Sequence, residues 1–159
     1  MTTYSTQANG RKLVLVDIEN LAGTPAPSEA DVCAAMSQLG YLLSNFDAAQ
    51  VIVACSHRAA KDVAFGCANA RHLWKSGPDG ADLALLEVLS DERVETRFTE
   101  IVVCSGDGIF AEAVASLGRM GISVTVVALH GHLSSRLRLA ASTVIELNIN
   151  SNMNLAEPA

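Results

Sequence analysis

The chain has 159 residues, half of them hydrophobic, and a net charge of −6. That length fits one domain with a sizeable core and not comfortably two. The acidic balance argues against indiscriminate nucleic-acid binding, which needs basic surface, and no apolar run reaches the roughly 18 residues of a membrane span.

Lys12 to Asp17 is a short, β-branched apolar run ending in a carboxylate, which predicts a strand buried on both faces. Ala22 to Pro27 is rich in Gly and Pro and reads as a loop. Ser28 is placed to cap a helix that runs to Ser44. Gln50 to Cys55 is a second apolar strand, His57 to Ala70 has helical spacing, and Arg71 to Lys75 reads as a short strand. The turn Gly77-Pro78-Asp79-Gly80 precedes a helix over Ala81 to Leu89. Glu100 to Cys104 is another buried strand, followed by the turn Ser105-Gly106-Asp107-Gly108. A helix over Ile109 to Met120, a strand over Ile122 to Leu129, a helix over Ser134 to Ala140 and a strand over Thr143 to Leu147 complete the pattern. Alternating apolar strands and helices imply a three-layer α/β/α sandwich around a mainly parallel sheet. The expected organisation is a flexible tail over 1–11, one domain over 12–147 and a second tail over 148–159.

Cysteines at 33, 55, 67 and 104 form no C-x-x-C pair and read as reduced, mostly buried thiols. With the polar start Met1 to Gly10, they point to a cytoplasmic protein without a signal peptide. A mean hydropathy of +0.28 points to a dense core or a subunit interface, so a homo-oligomer is one reading. His130-Gly131-His132 reads as a surface turn, because no further ligands stand nearby in sequence. Residues 57–75 carry a net +3, from Arg58, Lys61, Arg71 and Lys75 against Asp62, leaving −9 elsewhere. Such a split suits a basic landing strip beside an acidic pocket, or an ordinary solvated face.

In open α/β sheets ligands bind at the carboxyl ends of strands, where the strand order reverses. Asp17 closes the first strand, Asp107 follows the strand ending at Cys104, and Asp82 sits in the first turn of the helix after Gly80. Neighbouring strands lie about 4.8 Å apart. Carboxylates that close repel by roughly 3 kcal/mol each pair and persist only if a cation or a proton relieves them. Hard divalent ions such as Mg²⁺ or Mn²⁺ suit such oxygen ligands, and the helix start behind Asp82 is expected to help keep it ionised. Taken singly, Asp82 also reads as a helix-start acid and Asp107 as a turn aspartate. Asp17, ending an apolar strand, has no packing reason to be there.

Five stretches resemble the motifs of the NYN domain family, a branch of the PIN-like nucleases. They are L-V-L-V-D-I-E-N-L (Leu13 to Leu21), G-A-D-L-A-L (Gly80 to Leu85), I-V-V-C-S-G-D-G-I-F (Ile101 to Phe110), G-I-S-V-T-V-V-A-L (Gly121 to Leu129) and L-S-S-R-L-R-L-A-A-S-T-V-I-E-L (Leu133 to Leu147). The resemblance implies a PIN-like fold, a Mg²⁺ or Mn²⁺ site on Asp17, Asp82 and Asp107, and ribonuclease activity with Asn20 and Ser105 as supporting polar groups. Two positions depart from the family pattern. Ile109 stands where a second aspartate of S-G-D-x-D-F is common, and Ser142 where an acid often follows A-A.

The preferred expectation is metal-dependent hydrolysis of single-stranded RNA. Asp17, Asn20, Asp82 and Asp107 would serve catalysis; Ser105, Arg58, Lys61, Arg71 and Lys75 would hold the substrate; Trp74 would stack a base or pack. Glu19 is a candidate substitute for the carboxylate absent at Ile109. The rival is a weak or silent NYN module that binds RNA or a protein partner. A phosphotransfer receiver would need a lysine after a late strand, where Ala128 to His130 supplies none, and a haloacid-type phosphatase would need D-x-D where Asp17-Ile18-Glu19 stands. No G-x-G-x-x-G or P-loop supports a dehydrogenase or an NTPase.

Overall fold

Strands β1 (Lys12–Asp17), β2 (Gln50–Cys55), β3 (Arg71–Trp74), β4 (Glu100–Cys104), β5 (Ser123–Leu129) and β6 (Thr143–Leu147) form one sheet in the order β3-β2-β1-β4-β5-β6. They belong to a computed structural model that describes residues 10–148. Every pairing is parallel, with Asp17 opposite Ala54 on one side of β1 and Val16 opposite Cys104 on the other. Four strands begin and end where the sequence predicts, because a strand buried on both faces is written as an unbroken apolar run. The tails expected at 1–11 and 148–159 lie, but for their innermost residues, outside the described residues.

Two helical layers cover the sheet. Alternation along β1 sends Val14 and Val16 to one side, where Ile18, Leu21, Val32, Leu39 and Val63 pack from α1 (Ile18–Ala22), α2 (Glu29–Leu42) and α3 (Ala60–Gly66). It sends Leu13 and Leu15 to the other, against α4 (Gly80–Asp91), α5 (Val94–Arg97), α6 (Ala111–Arg119) and α7 (Ser135–Ala140). Each fully buried Leu, Ile or Val contributes about 1.5–3 kcal/mol, which is what holds the three layers together. By the same alternation Asp17 faces the α4 layer.

The helices depart from expectation at their ends. The start of α2 carries a capping box, Ser28 accepting from the Asp31 amide and Asp31 from the Ser28 amide. α1 occupies a stretch whose sequence suggests no helix: the Asp17 carboxylate accepts the Asn20 amide and Gly23 closes the turn in a left-handed conformation. α3 stops at Gly66 rather than Ala70, because the Cys67 amide closes on Val63 and the Ala70 amide on Cys67, a tight turn that feeds β3. Of the four cysteines, expected to be mostly buried, only Cys55 and Cys104 are buried; Cys67 is half-buried and Cys33 exposed. Among the described residues no helix is long and apolar enough to cross a membrane.

Candidate metal centre

Strand order reverses between β1 and β4, and a cleft of about 390 Å³ opens at their carboxyl ends. Asp17, Glu19, Asn20, Ser56, Lys75, Asp79, Asp82 and His132 are among its lining residues. Asp17 closes β1, Asp107 caps the short turn Gly108–Phe110 after β4, and Asp82 stands in the first turn of α4. Chain segments far apart in sequence thus converge where the strand-end rule points.

A short hydrogen-bond network holds the turns together. Asp17 Oδ1 accepts the Asn20 amide at 3.3 Å and Oδ2 accepts the Ser105 hydroxyl at 3.5 Å. Ser105 Oγ in turn accepts the Asp107 amide at 3.2 Å, and Asp107 Oδ1 accepts the Ile109 amide at 3.0 Å. Asn20 Oδ1 accepts the Gly106 amide at 3.1 Å, so it ties the β1 turn to the β4 turn. Gly106 sits so close to its neighbour that a Cβ there would stand 2.1 Å from the His132 carbonyl oxygen. Gly80 is equally confined, 2.2 Å from the Lys75 carbonyl oxygen by the same measure.

The electrostatics are those of an unneutralised site. Asp17 is 5 % exposed and Asp82 6 % exposed, and Asp82 Oδ1 meets no hydrogen-bond donor among the described residues. Burial pushes the Asp82 carboxyl up to about 9, with the hydrogen bond and charge of Asp17 and the charge of Asp107 adding to it. Burial also raises Asp17, against the lowering effect of its hydrogen bond to Asp82 and of the Asn20 amide. Both shifts run the same way, so crowding and burial favour a protonated carboxyl within this pair in the metal-free chain. Desolvation and the like charges of Asp17 and Asp107 oppose the ionisation expected from the helix start behind Asp82.

The sequence pointed to Asp17, Asp82 and Asp107 as the ligand set. The three carboxylates whose oxygens lie within 4.8 Å of one another are instead Asp79, Asp82 and Asp107, with Asp17 joined through Asp82. Asp79 escapes the sequence reading because Gly77-Pro78-Asp79-Gly80 is a turn signal that already accounts for an aspartate. All the donors are oxygens, one is buried without a partner, and no lysine, arginine or histidine within 4.0 Å pairs with any of the four acids among the described residues. That arrangement fits a hard divalent cation.

The other expected site residues scatter more widely. Glu19 lines the cleft, but its Oε1 accepts the Ser56 amide at 2.9 Å, so it buttresses the end of β2. Lys75 lines the cleft and pairs with Glu87 at 2.6 Å. Arg58 and Lys61 are exposed just beyond the carboxyl end of β2. Arg71 is not brought to the cleft. It opens β3 at the opposite end of that strand from Lys75 and forks onto Glu92 at 2.6 and 2.8 Å. Trp74, 42 % exposed, stacks on His72 with ring centroids 5.3 Å apart. Ile109 turns its side chain into an apolar groove shared with Leu83, Leu86, Leu117 and Met120. Ser142 lies at the amino ends of β5 and β6, away from the cleft at the carboxyl ends, bonded to both backbone groups of Val124, so the acid absent there has no bearing on this site.

An all-parallel α/β domain with an acidic cleft at the carboxyl ends of its central strands has its site where open parallel sheets bind ligands. Comparison narrows the class: the chain matches the NYN domain family over residues 11–148 and belongs to it. The structure is similar to the crystal structure of a protein of unknown function from Vibrio parahaemolyticus RIMD 2210633, with a TM-score of 0.61 and 17% identity, covering 91% of this chain and 97% of that one. At that identity the likeness concerns the fold, which is PIN-like. No curated protein matches the chain.

Proposed function

We propose that this NYN domain is a divalent-metal-dependent ribonuclease that hydrolyses phosphodiester bonds of single-stranded RNA in the cytoplasm. The observation that carries the reading is the buried Asp17–Asp82 pair, one oxygen of which has no donor among the described residues. A fold does not keep such a pair for packing, because each uncompensated buried charge costs several kcal/mol. Asp17, Asp82 and Asp107 would hold Mg²⁺ or Mn²⁺, which when bound polarises a phosphate oxygen and lowers the pKa of water.

The chain's own groups have separate tasks. Ser105 and the Asn20 amide hold the Asp17 carboxylate in place. The Asn20 side chain, anchored by Gly106, stands in the cleft and orients water or the scissile phosphate. Asp82 would hold the cation in its ionised form, so binding would be coupled to loss of a proton. Lys75 meets the RNA backbone at the cleft, while Arg58 and Lys61 steer it from the exposed turn after β2. In-line attack by water leaves a 5′-phosphate.

The second reading, a weak or silent module that binds RNA or a protein partner, has one observation in its favour: Ile109 offers the cleft no carboxylate. Purified protein incubated with single-stranded RNA and Mn²⁺ separates the two. Cleavage that EDTA abolishes and that Asp107→Asn lowers at least about hundredfold is expected, since ion-borne charge stabilisation is worth several kcal/mol. Intact RNA at high protein concentration, with binding retained, would establish the silent module.

A further inference from the structure

We infer that Asp79 supplies the site with a carboxylate from the α4 side, in place of the one missing at Ile109, so that the cation is held by Asp79, Asp82 and Asp107 with Asp17 behind them. The inference rests on the metal reading above and assigns a ligand which that reading does not contain.

The case starts with the backbone. Pro78 and Asp79 are the central residues of a turn closed by the Gly80 amide on the Gly77 carbonyl at 3.1 Å. Asp79 has φ 57° and ψ 22°, a left-handed conformation that glycine or asparagine fills most readily. Turn geometry therefore does not ask for a negative charge there. Nor does the helix that follows. An aspartate just before a helix ordinarily accepts an amide of the first turn, yet the Asp79 side chain makes no such bond to α4. Its carboxylate instead stands with those of Asp82 and Asp107, one oxygen of each lying within 4.8 Å of the others.

An exposed acid beside two others would be unremarkable by itself. The independent observation is Asp82, 6 % exposed, whose Oδ1 has no donor among the described residues. A third carboxylate beside Asp82 worsens the repulsion unless a cation sits among them. The neighbouring cation is already engaged, since Lys75 pairs with Glu87. The cleft also has a way to compensate for Ile109, whose side chain is committed to the groove between α4 and α6 and whose amide already serves Asp107. Moving the extra acid from the turn after β4 to the turn before α4 keeps the number of negative ligands while changing which loop carries them.

Calorimetric titration of the full chain with Mn²⁺, without RNA, tests this on wild type, Asp107→Asn and Asp79→Asn. Asparagine tolerates the left-handed backbone, so Asp79→Asn removes charge with little strain. Mn²⁺ affinity should fall roughly tenfold or more in Asp79→Asn, the loss expected when one carboxylate leaves a cation site. The melting temperature of the metal-free variant should equal or exceed that of wild type, which a merely structural turn residue would not give. Wild-type affinity in Asp79→Asn alongside weakened binding in Asp107→Asn would overturn the assignment of Asp79 and leave the metal site standing. Absence of Mn²⁺ binding by wild type would overturn both.

Discussion

β1 carries a buried charge at each end, and the two are treated in opposite ways. Lys12, 5 % exposed, donates to the Ser44 carbonyl at 2.6 Å and lies 3.2 Å from Glu100. Asp17, equally buried, faces another acid, Asp82, whose Oδ1 meets no donor among the described residues. The strand shows that this fold can neutralise a buried charge when the charge is structural. Leaving the carboxyl end unsatisfied is therefore a property of the site and not of the sheet, as expected where binding supplies the missing partner.

The largest effect that would sharpen this contrast is a pH slope. The Asp82 carboxyl sits at about 9 in the folded metal-free chain, against roughly 4 when unfolded. Between those limits the folded state holds a proton that the unfolded state has lost. The contribution of this group is therefore fully present below about pH 4 and is lost as pH rises towards 9, by up to about 1.4 kcal/mol per unit. Urea midpoints in chelator should show this decline in wild type and a nearly flat profile in Asp82→Asn. Parallel profiles would mean that Asp82 is solvated after all.

The opposite end of the strand is broken by Lys12→Met. Losing the donor to Ser44 should cost about 1–3 kcal/mol at neutral pH, read from the same urea curves. The Mn²⁺-induced rise in melting temperature should be unchanged, because Lys12 is remote from the cleft; a diminished rise would erase the distinction between the two ends. Smallest of all is Arg71→Ala. The exposed fork with Glu92 is worth about 1 kcal/mol or less, and RNA affinity by fluorescence anisotropy should hold, whereas Lys75→Ala, at the cleft, should weaken it.

What the sequence made legible follows from the same physics. The β1, β2, β4 and β6 bounds could be read because burial on both faces removes the polar alternation that blurs other strands. The convergence of Asp17, Asp82 and Asp107 could be read because parallel sheets place their ligands at strand ends. α1 was hidden: its cap is the Asp17 side chain itself, a residue whose position already had another explanation. Asp79 was hidden in the same way by its turn. Arg71 was misread because a cluster of charges along the sequence does not say which end of a strand each one occupies, and β3 separates Arg71 from Lys75 by its whole length.

The glycine at 106 has a last consequence. Its neighbour's carbonyl oxygen leaves no room even for a methyl group, so this wall of the cavity is main chain resting on main chain. Such a wall does not depend on rotamers and cannot slump when an acid is swapped for its amide. Neutralising variants in this protein should thus behave as clean electrostatic probes, reporting lost charge without a change of shape.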